Sequence, residues 1–562
     1  MNYIWLWVFV IGAIQMTAAP LSTNRPVLKM ASEARMDLLA GPEVGALSNA
    51  SLLTFNGRIN PISWGAAGAG PAQGLSVHFP IVQYAWTEMA IQFTPASNGT
   101  IQLKLMGPWA EEAPGRLYRQ EVLWDAVSAS GTTVSNGSFE EFIGNRPTGW
   151  EGGGVANAGP MPPFKGANYG RTWHNMPLIQ KLTVTGGVPV TLRAYARSIP
   201  PPNAMEMKRI FDHDTLAHQA ARFYQKGVNL GNYLEVPPGQ NWAVAHGVED
   251  LRAIKEQGFD HVRIPVGWHH YTGPAPEYKI APEFFEKVDA LVTNASAMKL
   301  SVIINIHHFD EFTSQPMAHS NKFLAIWRQV AAHYSRASGG VAFELLNEPK
   351  DAATTTVLNP IYAEAIKIIR QTNPLRTIFV GPGRWNSVEE LGKLWLPPDD
   401  ENIIVTVHCY EPFYFTHQSA TWAGPDVKGL TNIVYPGPPP APYTNFPSGI
   451  NKWVKDWLQG YNTLPPERNP CSSNLIRAKL SLAREWSEYY GRPVHLGEFG
   501  CYTAADVDSR SRYCADVRKI CAEFGIGWAL WDWKAGFRYW DPGKKQPVAG
   551  MREALFPSAG NR

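Results

Sequence analysis

From Lys226 onward the chain alternates short apolar runs with amphipathic segments, and this alternation restricts the fold more than any other feature. The apolar runs cover residues 227–230, 261–265, 301–305, 341–346, 377–381, 403–407, 493–496 and 527–530. Helical periodicity between them covers 247–257, 282–298, 323–334, 362–371, 475–489 and 509–523. The runs are apolar nearly throughout, as strands are when both faces are covered. Eight such strands interleaved with helices predict an α/β fold, a (β/α)8 TIM barrel. About 85 residues separate the sixth run from the seventh, and they include the rigid stretch from Pro436 to Pro442. A connection that long is usually functional, and in a barrel it would lie over the face where chemistry gathers.

The chain before the barrel reads differently. From about Leu38 to Ser198, short alternating runs recur between turn signals: 90–93, 101–105, 122–124, 180–184 and 190–194, with Asn98-Gly99 and Gly186-Gly187 as punctuation. That spacing predicts an all-β sandwich. The stretch Asn136-Gly137-Ser138-Phe139-Glu140 with Pro147-Thr148-Gly149-Trp150 resembles a string found in jelly-roll carbohydrate-binding modules. A sandwich that only props its neighbour is the equal alternative. Residues 3–19 are apolar and end in small residues, which reads as a secretory signal cleaved near Ala18 and Ala19. The stretch has no Lys or Arg before it, so an uncleaved anchor is the alternative. The expected division is therefore 1–19 signal peptide, 20–198 sandwich, 199–223 proline linker and short helix, and 224–562 barrel. A secreted monomer without stable membrane insertion follows.

A net charge of +2 with 17% charged residues shows no nucleic-acid footprint. The 21 Trp and 21 Tyr suit stacking against pyranose rings, or filling cores. Five cysteines, Cys409, Cys471, Cys501, Cys514 and Cys521, leave at least one unpaired. Cys514 and Cys521 lie about 10 Å apart along a helix, too far for a disulfide. Cys501 with either of them stays open. No Cys/His cluster has zinc spacing, so no metal and no cofactor is expected.

Two apolar runs end on glutamates, Glu348 and Glu498. A carboxylate at the end of a buried strand costs free energy unless it is paired or used. Two on one barrel face suggest the acid and the nucleophile of a glycosidase. The other strand ends supply Asn229, Asn232, Arg263, His307, His308, Asn347, His408, Tyr410 and Trp531.

The strings KGVNLGNYLEVP (226–237), FDHVRIPVGW (259–268), VIINIHH (302–308), FELLNEP (343–349), VTVHCYEPFYFTHQSATW (405–422), VHLGEFGCY (494–502) and WALWDWKAGF (528–537) together resemble glycoside hydrolase family 5, within it the bacterial endoglucanases. The resemblance runs from about residue 226 to 555. It implies Glu348 as acid/base and Glu498 as nucleophile of a retaining endo-β-1,4-glucanase acting on a polysaccharide. It also implies sugar-binding roles for Arg263, His307, His308, Asn347, His408, Tyr410 and Trp531, and for Asn232, Glu235, His417 and Trp422. A structural ion pair at the barrel rim is the competing reading of Glu348, Glu498 and Arg263. Simple core packing competes for His408 and for Trp531, whose neighbours Trp528 and Trp533 are rivals. A β-mannanase, alone or combined with glucanase activity, is the first alternative function. An exo-β-1,3-glucanase and a non-catalytic carbohydrate-binding protein stand further off. Cys409 departs from the family pattern, where a bulkier aromatic is usual. The segments 436–442 and 461–470 look like additions.

Overall fold

A computed structural model of the protein describes residues 31–52, 63–67, 74–108, 111–113, 116–117, 120–157, 162–199, 207–466 and 469–557. The expected signal segment lies outside them, as does the linker after residue 199. The described chain forms two compact units, one before residue 207 and one from there on.

The second unit is a closed parallel barrel of eight strands: Lys226–Asn229, His261–Ile264, Ser301–Asn305, Val341–Glu344, Ile378–Val380, Ile403–His408, Val494–Phe499 and Gly527–Leu530. Each expected strand is present within a few residues. Branched side chains such as Val302, Ile303 and Ile304 fit the crowded, two-sided burial of these strands. Helices cover the outside, and capping sets their ends. Asp506 accepts the Ser509 N–H at 2.8 Å to open the helix Val507–Phe524, which Gly525 closes with a left-handed φ of 67°. The helix expected over 323–334 begins at Pro316, a residue suited to a first turn. The helix expected over 362–371 begins at Thr355, because the Thr354 hydroxyl accepts the Val357 N–H at 3.4 Å.

One end of the barrel is plugged by Ala217, from the short helix Leu216–Ala221, with Tyr224, Ile303, Ala342, Phe379 and Ile404. The polar interior is therefore gathered at the opposite, C-terminal ends of the strands. The seventh strand reaches three residues beyond the expected run. Strict alternation from His495, whose ring lies inside against His261 and Phe379, would turn Glu498 outward. Register shifts on both sides of this strand, at Val407/His408 and Leu496/Phe499, form a bulge that returns Glu498 to the interior.

The first unit holds two six-stranded antiparallel sheets whose inner faces share one apolar core, including Leu103, Trp124, Leu182 and Leu192. The jelly-roll-like string serves the architecture. Asn136 Nδ2 donates to the carbonyls of Glu141 and Thr148, Trp150 Nε1 donates to the Asn136 carbonyl, and Phe139 lies against Trp150.

All five cysteines are buried free thiols, so the open pairing of Cys501 is not made. Cys409 points behind its strand, where Tyr513 and Cys521 of the helix Val507–Phe524 are its neighbours. Its departure from the family pattern therefore affects packing rather than the cleft. The added segment after the sixth strand is tied down: Tyr435 N donates to Ser509 Oγ, Gly437 N to the Cys471 carbonyl and Val434 N to Tyr461 Oη.

Candidate active site

Arg263, from the second strand, is fully buried and anchors the polar end of the barrel. Its guanidinium donates five hydrogen bonds: Nε and Nη2 to Glu344 (2.6 and 2.7 Å), Nη1 to Asn229 Oδ1 (2.8 Å) and to Glu498 Oε1 (2.7 Å), and Nη2 to Asn347 Oδ1 (2.6 Å). Burial works against its charge, but Glu344 and Glu498 outweigh that and hold the pKa above its ordinary value. Only a planar fork reaches four residues in this way.

Glu498 receives a second donor, Tyr410 Oη at 2.8 Å on Oε2. Burial raises the Glu498 pKa, while His408, Arg263 and the Tyr410 hydrogen bond oppose the rise. Glu348 lies across from it. An oxygen of Glu348, an oxygen of Glu498 and a ring nitrogen of His408 all lie within 4.8 Å of one another. His408 Nδ1 is 2.8 Å from Glu348 Oε1 and 3.7 Å from Glu498 Oε2. Burial lowers the His408 pKa to about 4, so at neutral pH the ring carries no charge. Burial also raises the Glu348 pKa. Two close carboxylates resist double ionisation. Glu498 has the direct ion pair with Arg263, whereas the direct side-chain partner of Glu348 is His408, an arrangement that favours the proton on Glu348.

The backbone at Glu348 is left-handed, with φ 44°. Its N–H donates to Asn386 Oδ1 at 3.0 Å. Asn386 ends a run of three left-handed residues, Arg384, Trp385 and Asn386 (φ 51°, 58° and 55°), and Trp385 N donates to the Pro349 carbonyl at 3.0 Å. Each of these strained turns holds the other, a pattern common where a side chain must be aimed.

The structure brings the remaining expected residues to the same mouth, with differing environments. Asn347 Nδ2 lies 3.3 Å from His307 Nε2, and His307 stacks on Trp531 at 5.6 Å. Burial lowers the His307 pKa far below its usual range. His308 is exposed beside it. Trp531 is half-buried under Gly231, whereas Trp528 and Trp533 are buried in the layer behind the barrel against Phe259. Glu235 is buried and accepts the backbone N–H groups of Asn232 and Tyr233, so its carboxylate folds the loop that carries Asn232. Burial raises its pKa to about 7. His417 touches neither glutamate; it lies edge-on to Tyr410 at 5.0 Å and stacks on Phe413. Trp422 is exposed and meets Tyr502 edge-on at 4.6 Å.

The sequence reading passed over Glu344 and Asn386. Glu344 was findable, because a charge inside the apolar run 341–346, two residues from inward-facing Ala342, must face a partner. Asn386 lies in a connection whose path no periodicity reports.

A parallel barrel with a half-buried and a buried carboxylate, Glu348 and Glu498, facing each other at the C-terminal ends of its fourth and seventh strands has the site of a glycoside hydrolase. The pattern described as "Cellulase (glycosyl hydrolase family 5)" matches residues 226–536, and the chain belongs to that family. It is 29% identical over 360 residues to Endoglucanase 3 of Fibrobacter succinogenes, spanning 60% of this chain and 54% of that protein. It is 28% identical over 323 residues to Endoglucanase C of Acetivibrio thermocellus, spanning 55% of this chain and 91% of that protein. Among solved structures it resembles Thermotoga maritima Cel5A in complex with mannotriose, at 32% identity and a TM-score of 0.52, covering 61% of this chain and all of that one.

Proposed function

We propose that this protein is a secreted, retaining endo-β-1,4-glucanase that cleaves β-glucan by two displacements. The closeness of Glu348 and Glu498 carries the reading. Oxygens within 4.8 Å match the roughly 5–5.5 Å carboxyl spacing of enzymes whose carboxylate attacks the sugar directly, and fall short of the roughly 6.5–9.5 Å used when water attacks. Glu348, the protonated partner, gives its proton to the leaving glycosidic oxygen. Glu498, kept ionised by Arg263, attacks the anomeric carbon. Glu348 then takes a proton from the water that releases the sugar from Glu498. Asn347 sits where a 2-hydroxyl would arrive, and Trp531 offers a ring face beneath the glycone.

Mannan is the second reading. It is favoured by the Thermotoga maritima Cel5A structures, which were obtained with mannotriose and with cellobiose. For the N-terminal sandwich we take carbohydrate binding as the role. Exposed Phe164, stacked on Tyr195 at 3.7 Å beside Trp86, supports it as an aromatic platform.

The test is reducing-sugar release from carboxymethylcellulose, mixed-linkage β-glucan, glucomannan, galactomannan and laminarin. Activity on the first three with a ladder of oligosaccharides is expected. Comparable activity on galactomannan would make the enzyme a glucanase/mannanase, and activity on laminarin alone would overturn the assignment.

A further inference from the structure

Behind the catalytic pair, the barrel interior contains buried polar atoms that the mechanism above does not use. His408 Nδ1 faces Glu348, but its Nε2 has no hydrogen-bond partner among the described residues. The same is true of Thr406 Oγ1, two residues back on the same strand, and of both ring nitrogens of His495 on the neighbouring strand. All three side chains are at most 6% exposed. Thr406 and His408 face one glycine. A Cβ on Gly497 would lie 2.5 Å from Thr406 Oγ1 and 3.1 Å from His408 Nε2. Both unpartnered polar atoms therefore converge over the bare Cα of Gly497, and only the absence of a side chain there lets a third polar atom come between them. Native interiors seldom leave such groups unmade, and polar pockets of this kind hold ordered water.

We propose that an ordered water in this space links the Thr406 hydroxyl to His408 Nε2 and thereby fixes the tautomer of His408, making Thr406 a positioning residue for the acid/base. A donor at Nε2 makes that nitrogen an acceptor and leaves the ring proton on Nδ1. Nδ1–H then donates to Glu348 Oε1, the arrangement that steadies Glu348 as a carboxylate. The benefit falls on the second displacement, where Glu348 must be the base. Thr406 and its water touch neither substrate nor the reacting atoms. The charged and titratable groups facing His408 are Glu348, Glu498, Arg263, Glu344, His307 and His495. Of these, Glu348 and Glu498 place carboxylate oxygens within 4 Å of its Nδ1.

The inference rests on the proposed roles of Glu348 and Glu498, and its test separates the two. The probe is an aryl β-cellobioside with a good leaving group, for which release of the glycosyl-enzyme limits turnover. Thr406→Val keeps the side-chain shape and removes the hydroxyl. It should lower kcat and KM together by about fivefold, the rate equivalent of one ordinary hydrogen bond, and leave kcat/KM nearly unchanged. The acid limb of kcat and the basic limb of kcat/KM should both move upward, since the Glu348 carboxylate loses support, and Thr406→Ser should restore the parent values. An unchanged kcat and pH profile, or equal losses in kcat and kcat/KM, would overturn the proposal. If Thr406→Val does not fold, a crystal structure of the parent decides. Density for a water bonded to His408 Nε2 and Thr406 Oγ1 supports it, and its absence refutes it. Failure of the underlying assignment would show instead as a parent enzyme inert toward the aryl cellobioside.

Discussion

Replacing Arg263 by lysine keeps the positive charge but removes the fork. In the structure the guanidinium makes five hydrogen bonds to Asn229, Glu344, Asn347 and Glu498. An ammonium has three donors, so at least two of those bonds are lost inside a fully buried cluster. Bonds to charged groups contribute about 1.5–3 kcal/mol each, so the loss is about 3–6 kcal/mol. That is a large part of the 5–15 kcal/mol typical of a domain, and it should lower the denaturation midpoint by roughly 10 °C. Glu498 also loses its fixed counter-charge. Its carboxylate becomes harder to ionise, so the acid limb of kcat/KM should move to higher pH. Displacement of one preorganised donor typically lowers kcat by about 10²–10³-fold. The assay pairs calorimetry with pH–rate profiles on an aryl cellobioside. A variant within twofold of the parent in kcat/KM, melting within 2 °C of it, would refute the claim that geometry rather than charge is what Arg263 supplies.

Further outcomes follow from the same geometry. Tyr410→Phe removes the donor to Glu498 Oε2 and should lower kcat/KM by about 10–100-fold while moving the acid limb upward; an unchanged profile would mean the hydroxyl does not serve the carboxylate. His269 is buried between the rings of His270 and Phe309, neither ring nitrogen has a partner among the described residues, and burial lowers its pKa to about 2. The stability its neutral form provides is complete above pH 6.5 and declines as pH falls toward that value. His269→Phe should therefore gain on the parent by about 1.4 kcal/mol per pH unit below 6.5 in urea titrations, and a pH-independent difference would sink the idea. Deleting residues 20–198 should weaken pull-down on insoluble polysaccharide; unaltered pull-down would make the sandwich a support.

The barrel was legible because its strands are almost wholly apolar and its helices keep their period, both of which are local signals. Glu348 and Glu498 were legible for the same reason, as charges ending apolar runs. What the sequence left hidden depends on the third dimension. Alternation alone turns Glu498 away from the cleft, and only the bulge on the seventh strand brings it back. Trp531 was one of three candidates until the fold put Trp528 and Trp533 behind the barrel. Asn386 reaches Glu348 through three left-handed residues in a row, a path no pattern of hydrophobicity encodes. Glu235, expected to bind sugar, also accepts a backbone N–H of its own loop on each oxygen, a folding role that no pattern in the sequence signals.

Attack by Glu498 itself, rather than by water, is the central step of the proposed mechanism. Its most direct test is the configuration of the first product, followed by proton NMR during hydrolysis of cello-oligosaccharides before mutarotation. The β-anomer appearing first is the predicted result, since two displacements retain configuration. The α-anomer appearing first would mean a single displacement by water, and the roles given to Glu348 and Glu498 would be wrong.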